Sequence, residues 1–153
     1  MMNEKTDTDN VIHTELYGEL RPEPHQIYEF QQGIVGFSHL NHFALLPYDD
    51  TQLFILQSLQ EETGLLLLPA TMSRNTDGFH IDAATIEELK ADSPEDIITF
   101  YTLRFIDEQP HINLKAPILV TPTKQKGCQY ILNDDKVSLC ERLILAGESN
   151  ART

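Results

Sequence analysis

Six histidines, two cysteines and 24 carboxylates are the residues of this chain whose types could do chemistry. His39-x-x-His42 is the one close histidine pair. A zinc centre needs three or four nitrogen, sulfur or oxygen ligands converging on one point. No second close His or Cys pair accompanies this one, so surface and capping roles are expected and no metal is. Cys128 and Cys140 are too few for a secreted disulfide framework and are expected to be plain thiols. The chain contains no Gly-x-Ser-x-Gly elbow, no Walker loop and no Gly-x-Gly-x-x-Gly. Gly33-x-x-Gly36 is too short to cradle a phosphate and has no Lys-Ser/Thr after it. Many of the carboxylates come as adjacent doublets: Asp49-Asp50, Glu61-Glu62, Glu87-Glu88, Glu95-Asp96, Asp107-Glu108 and Asp134-Asp135. A catalytic pair needs one carboxyl raised in pKa by an apolar pocket. Doublets at turns and on helix surfaces stay solvated and ionised. No catalytic residue and no cofactor is therefore expected. A small hydrolase using a carboxylate pair, or His39 and His42, is the alternative, with no motif behind it.

The charge is more informative than any single group. Eleven Lys+Arg against 24 Asp+Glu give a net charge of −13 over 153 residues. Nucleic acid and anionic membranes both reward basic patches, so direct binding to either is not expected. A basic protein surface is the partner this field favours, because opposite fields speed encounter. Residues 49–108 alone carry a net −10, whereas residues 109–131 hold Lys115, Lys124 and Lys126 and no acid. No stretch approaches the roughly 20 apolar residues of a membrane span, and the polar N-terminus lacks the pattern of a signal peptide. A cytoplasmic protein is expected.

The elements that must hold these groups are short. Residues 1–10 and 147–153 read as polar tails around a single domain, 11–146. Segments 11–17 (ended by Gly18), 25–30, 43–48, 53–59, 65–68, 97–106, 118–121, 128–132 and 137–145 read as strands, from their β-branched, aromatic and alternating residues. In 25–30, Ile27 and one of Tyr28 or Phe30 are expected to point inward. Asp49-Asp50, residues 124–127 and residues 133–135 read as turns. Asp82 can cap one helix, 83–91, with Ile86 and Leu89 on one face. Many short strands, one short helix and no βαβ alternation indicate an all-β, mainly antiparallel domain. A small, partly closed barrel would leave the fewest exposed edges. In the Gln31–Phe37 stretch, Gly33 or Gly36 is expected to adopt positive φ. Gln57, Asn113 and Gln129 are polar residues within or beside β segments, expected to hydrogen-bond turn backbone.

Five motifs occur in order: Ile12-x-Thr14-x-x-x-Gly18; Phe30 followed by Gln32-Gly33-Ile34-Val35-Gly36-Phe37; Leu56-Gln57-Ser58; Asn113-Leu114-Lys115-Ala116-Pro117-Ile118; and Gly127-Cys128-Gln129-Tyr130-Ile131-Leu132. In this order and spacing the chain resembles the flagellar assembly factor FliW family along roughly residues 11–145. Departures occur at Gln31 and Val35, where the family usually has Pro. Leu68-Pro69 stands for Asp-Pro, Thr121 for Asn, and Cys140-Glu141 for an Arg-His pair. The resemblance implies a small, non-catalytic, barrel-like cytoplasmic protein; a monomer when free is the simplest expectation. It would bind the translational regulator CsrA away from its RNA surface, relieve repression of flagellin mRNA, and also bind flagellin. A flagellin chaperone alone is the other reading the resemblance allows. Gly33, Gly36, Phe37, Gln57, Asn113, Pro117 and Gln129 are then structural motif residues. The candidate partner contacts are the turn doublets Asp49-Asp50, Glu61-Glu62, Asp107-Glu108 and Asp134-Asp135.

Overall fold

The computed structural model describes residues 11–75 and 78–146. The two tails expected from the sequence lie outside these residues. The strands are β1 (Ile12–Thr14), β2 (Gly18–Leu20), β3 (Ile27–Phe30), β4 (His42–Pro47), β5 (Phe54–Ser58) and β6 (Gly64–Pro69). After the one α-helix of the described residues, α1 (Ala83–Glu88), come β7 (Ile98–Ile106), β8 (Gln109–Ile112), β9 (Ile118–Thr121), β10 (Lys126–Gln129) and β11 (Glu141–Arg142). Strands β7, β6, β5, β4, β3, β10 and β9 are neighbours in that order, and β9 pairs back onto β7. The result is a closed seven-stranded barrel, all antiparallel except the β3–β10 pair. Closure leaves none of these seven strands with a fully open edge. The fold class read from the sequence holds.

Alternation along the strands builds the interior. Tyr28, Phe30, Phe43, Leu45, Leu56, Leu67, Phe100, Ile118 and Val120 fill the barrel, with Ile34 and Leu40 of the β3–β4 loop packed among them. Phe30 and Phe43 meet edge to face at 5.2 Å, as do Phe54 and Phe100 at 5.4 Å. A second cluster, Leu68, Tyr101, Leu103, Ile112 and Leu114, is joined by Met72, Val137 and Leu143 from the 70–75 and 137–145 segments. The helix side of a third cluster supplies Leu89, which is fully buried beside Leu119 and Cys128. Asp82 caps α1 by accepting from the Thr85 N–H at 2.8 Å. Hydrogen bonding from the Thr85 side chain, and then from its backbone N–H, holds the Asp82 carboxyl below the ordinary carboxylate range.

Several local expectations change. The segment 11–17 is not one strand. Thr14 Oγ1 donates to the Gly18 carbonyl at 2.9 Å and accepts from the Tyr17 N–H at 2.9 Å, which turns the chain into the β1–β2 hairpin. In β3 it is Tyr28 and Phe30 that are buried, as residues two apart must share a face, and Ile27 is half-buried. The turn before β10 covers residues 122–125, so Lys126 and Gly127 are already in the strand, which ends at Gln129. Gly127 belongs there because a Cβ would lie too close to Cζ of the Phe30 ring. Residues 137–145 form only the two-residue strand β11, because Val137 and Leu143 are spent on covering the second cluster. The helix stops at Glu88, and Lys90 takes a left-handed φ of 59° to end it.

Candidate functional site

The five sequence motifs, spread over more than 100 residues, are linked through the loop joining β3 to β4. That loop needs both its glycines. Gly33 sits at φ 69° and Gly36 at φ 89°, where L side chains are disfavoured. Between them Ile34 turns into the core and Val35 turns out, 72% exposed. Gln129 on β10 fixes this turn, its Oε1 accepting from the Val35 N–H at 2.9 Å. A proline at position 35 would have no N–H to give. Gln129 Nε2 also donates to the Ala116 carbonyl at 3.4 Å. Ala116 is held in turn by Asn113, whose Oδ1 accepts from the Lys115 and Ala116 N–H groups at 2.9 and 3.1 Å.

The loop between β5 and β6 is built the same way. Gln57 is 1% exposed, and its Nε2 donates to the Ser58 and Glu61 carbonyls at 3.2 and 3.3 Å. Gly64, its partner across the strands, leaves room for that side chain. Ser58 Oγ accepts from the Gln60 and Glu61 N–H groups, and Gln60 Oε1 from those of Asn41 and His42. Burial forces the Gln57 and Ser58 side chains to find partners, and those partners are loop backbone.

The four candidate doublets are all exposed, and they do not share one place. Asp49-Asp50 occupies the β4–β5 turn and Glu61-Glu62 the β5–β6 turn. Successive hairpin turns lie at opposite ends of the strand between them, here β5, about 17 Å long. Glu61 Oε2 lies 3.1 Å from His39 Nε2. Glu62 Oε2 accepts from the Glu15 N–H at 2.6 Å, tying the β1–β2 hairpin to the barrel. Asp107-Glu108 forms the two-residue β7–β8 turn with both φ values positive, 54° and 67°. Asp134 Oδ1 accepts from the Lys136 N–H, and its carbonyl from Lys115 Nζ. His42 Nδ1 faces Asn41 rather than His39. Among the described residues no three His, Cys, Asp or Glu side chains gather as a metal would need.

Two doublets border clefts: Asp134 lines one of about 450 Å³ with Phe79, Leu114, Leu132 and Val137, and Glu62 lines the one that also holds the highly exposed Leu16. A cleft of about 500 Å³ opens beside Glu62, walled by Thr14, Leu16, Tyr17, Phe37 and Gln57. Leu16 is 80% exposed. Leu16 and Val35 are the two most exposed large apolar side chains described. The sequence pointed to the carboxylates and to Phe37 but not to Leu16, whose neighbours come from β5, β6 and the β3–β4 loop. An apolar centre rimmed by charge is the anatomy of a protein-binding patch.

The FliW protein family model matches residues 10–143. The chain belongs to the FliW family. The flagellar assembly factor FliW of Bacillus velezensis is 34% identical over 129 residues, covering 81% of this chain and 90% of that one. That of Thermotoga maritima is 31% identical over 134 residues, covering 84% and 90%. A crystal structure of the flagellar assembly factor FliW superposes with a TM-score of 0.78 at 29% identity, covering 86% of this chain and 95% of that one. Gln129 and Gln57, singled out in the sequence, shape the β3–β4 and β5–β6 loops of this fold through the hydrogen bonds described above. Among the described residues no helix is long and apolar enough to cross a membrane.

Proposed function

We propose that this chain is a non-enzymatic, cytoplasmic docking protein that binds the translational regulator CsrA and lifts its repression of flagellin mRNA. In the same reading it binds flagellin, so that free flagellin competes for it and returns CsrA to the message. One observation carries the proposal: the motif residues Phe37 and Gln57 and the β1–β2 hairpin wall a cleft in which Glu62 stands beside exposed Leu16. A chain at −13 is repelled by RNA itself but is suited to a basic RNA-binding protein. Lowering that protein's positive potential lowers its affinity for phosphate.

Isothermal titration with CsrA tests this. A complex is expected that weakens as salt rises, since exposed charges at its rim are screened. Flagellin added to the complex is expected to release CsrA. Absence of any complex at low salt would contradict the proposal, and a complex with flagellin alone would leave the chaperone reading in its place.

A further inference from the structure

Against the acidic background, one row of basic side chains stands out on the sheet that extends from the barrel. Arg104 on β7 is directly opposite His111 on β8, and His111 is directly opposite Arg142 on β11. Directly paired residues of antiparallel strands share a face. The three side chains therefore line one face in sequence, spanning about 10 Å at the usual spacing between strands. Glu141 alternates to the other face, where its carboxylate accepts from Asn75 Nδ2 at 3.1 Å. Among the described residues none of the three meets a carboxylate within ion-pair distance. Among the described residues the Arg104 guanidinium donates to Cys140 Sγ, at 3.7 Å. His111 Nδ1 faces the Gln109 carbonyl at 2.9 Å, which leaves Nε2 for a ligand.

A cleft of about 350 Å³ adjoins the row, with Arg104 and His111 in its wall beside Leu103, Ile112 and Leu139. Leu139 is 65% exposed. Two arginines with a histidine between them, strung over about 10 Å, do not converge on one small anion. The positions lie about 5 Å apart, and the long arginine side chains at the two ends can splay to reach carboxylates that recur about every 7 Å along one side of an extended peptide.

We propose that the Arg104–His111–Arg142 face binds a short acidic polypeptide segment that places carboxylates on the row and an apolar side chain in the adjoining cleft. The occupant is set by charge complementarity: this row is basic on a chain whose net charge is −13, and its arginines lack the carboxylate partners that Arg21, Lys124 and Lys126 have.

Fluorescence anisotropy tests it with a labelled peptide, acetyl-Glu-Leu-Glu-Leu-Glu-amide, and its Gln-for-Glu counterpart. The Glu peptide is expected to bind at least tenfold more tightly than the Gln peptide. The Arg104→Gln/Arg142→Gln double variant is expected to lose at least tenfold in affinity at an unchanged melting temperature. The Arg104→Lys/Arg142→Lys variant, which keeps the charge, guards against a folding defect and is expected to retain most of the binding. Equal binding of the two peptides, or full binding by the Gln double variant, would overturn the proposal. Displacement of the peptide by millimolar inorganic phosphate would reduce the face to a simple anion site and overturn it as well.

Discussion

At Gly33 the backbone is left-handed, and a Cβ there would lie 2.6 Å from the Ser38 Cα. At Gly36 the backbone is also left-handed but the space is open. Gly36→Ala is therefore expected to cost about 1 kcal/mol, the backbone penalty alone. Gly33→Ala is expected to cost more, because the Ser38 backbone must also move; thermal denaturation of the pair separates the two effects. Thr121 gives the opposite expectation. It is fully buried and its hydroxyl has no hydrogen-bond partner among the described residues. Thr121→Val removes a buried unsatisfied group and is expected to stabilise the fold by about 1 kcal/mol in urea denaturation. Cys128 is pushed up from 9.0 to about 12 by burial, then by Glu88 and Asp82. The folded state thus favours the neutral thiol. Its contribution to stability is whole below pH 9 and declines as pH rises from 9 toward 12. Iodoacetamide at pH 8 is expected to label Cys140, which is half-buried, and to spare Cys128. At this scale the sequence showed which residues were unusual but not their partners. Gln129 could be read as a polar residue needing a backbone group; that the group belongs to Val35, 94 positions away, is a product of barrel closure.

The β7–β8 hairpin shows what element-level reading can and cannot do. Residues 97–106 announced themselves through β-branched and aromatic side chains, and Asp107-Glu108 read as a turn. The returning strand β8 was not legible, because Pro110 lies inside it and proline cannot donate to a ladder. The structure tolerates it opposite Phe105, while its carbonyl accepts from the Leu143 N–H at 2.9 Å. Likewise, the 137–145 apolar residues looked like a strand because periodicity cannot distinguish ladder pairing from packing against an outer face. The turn itself holds Glu108 at φ 67°, a conformation glycine adopts without penalty. Glu108→Gly, giving an Asp-Gly turn, is expected to raise stability by about 0.5–1 kcal/mol, read as a higher urea midpoint at unchanged slope. A lower midpoint would mean that the Glu108 side chain makes a contact that stabilises the hairpin.

On the scale of the whole molecule, charge and closure together decide what the protein can meet. The class of fold was legible because many short strands with turn residues between them have few compact solutions. Which carboxylates belong to a binding face was not, since the four turn doublets look alike in sequence. Position in the barrel separates them: of the four turn doublets, Glu61-Glu62 is the one beside the Leu16–Phe37 cleft. Turn charges of this kind contribute little to stability, so reversing them isolates their role in encounter. The most direct test is stopped-flow association of CsrA at low salt with four variants, each carrying one of the doublets Asp49-Asp50, Glu61-Glu62, Asp107-Glu108 and Asp134-Asp135 changed to Lys-Lys. The Glu61→Lys/Glu62→Lys variant is expected to associate at least about tenfold more slowly than the parent, while still melting cooperatively, with the other three much closer to the parental rate. Association of that variant at the parental rate would contradict the account and leave the acidic field as a means of staying soluble.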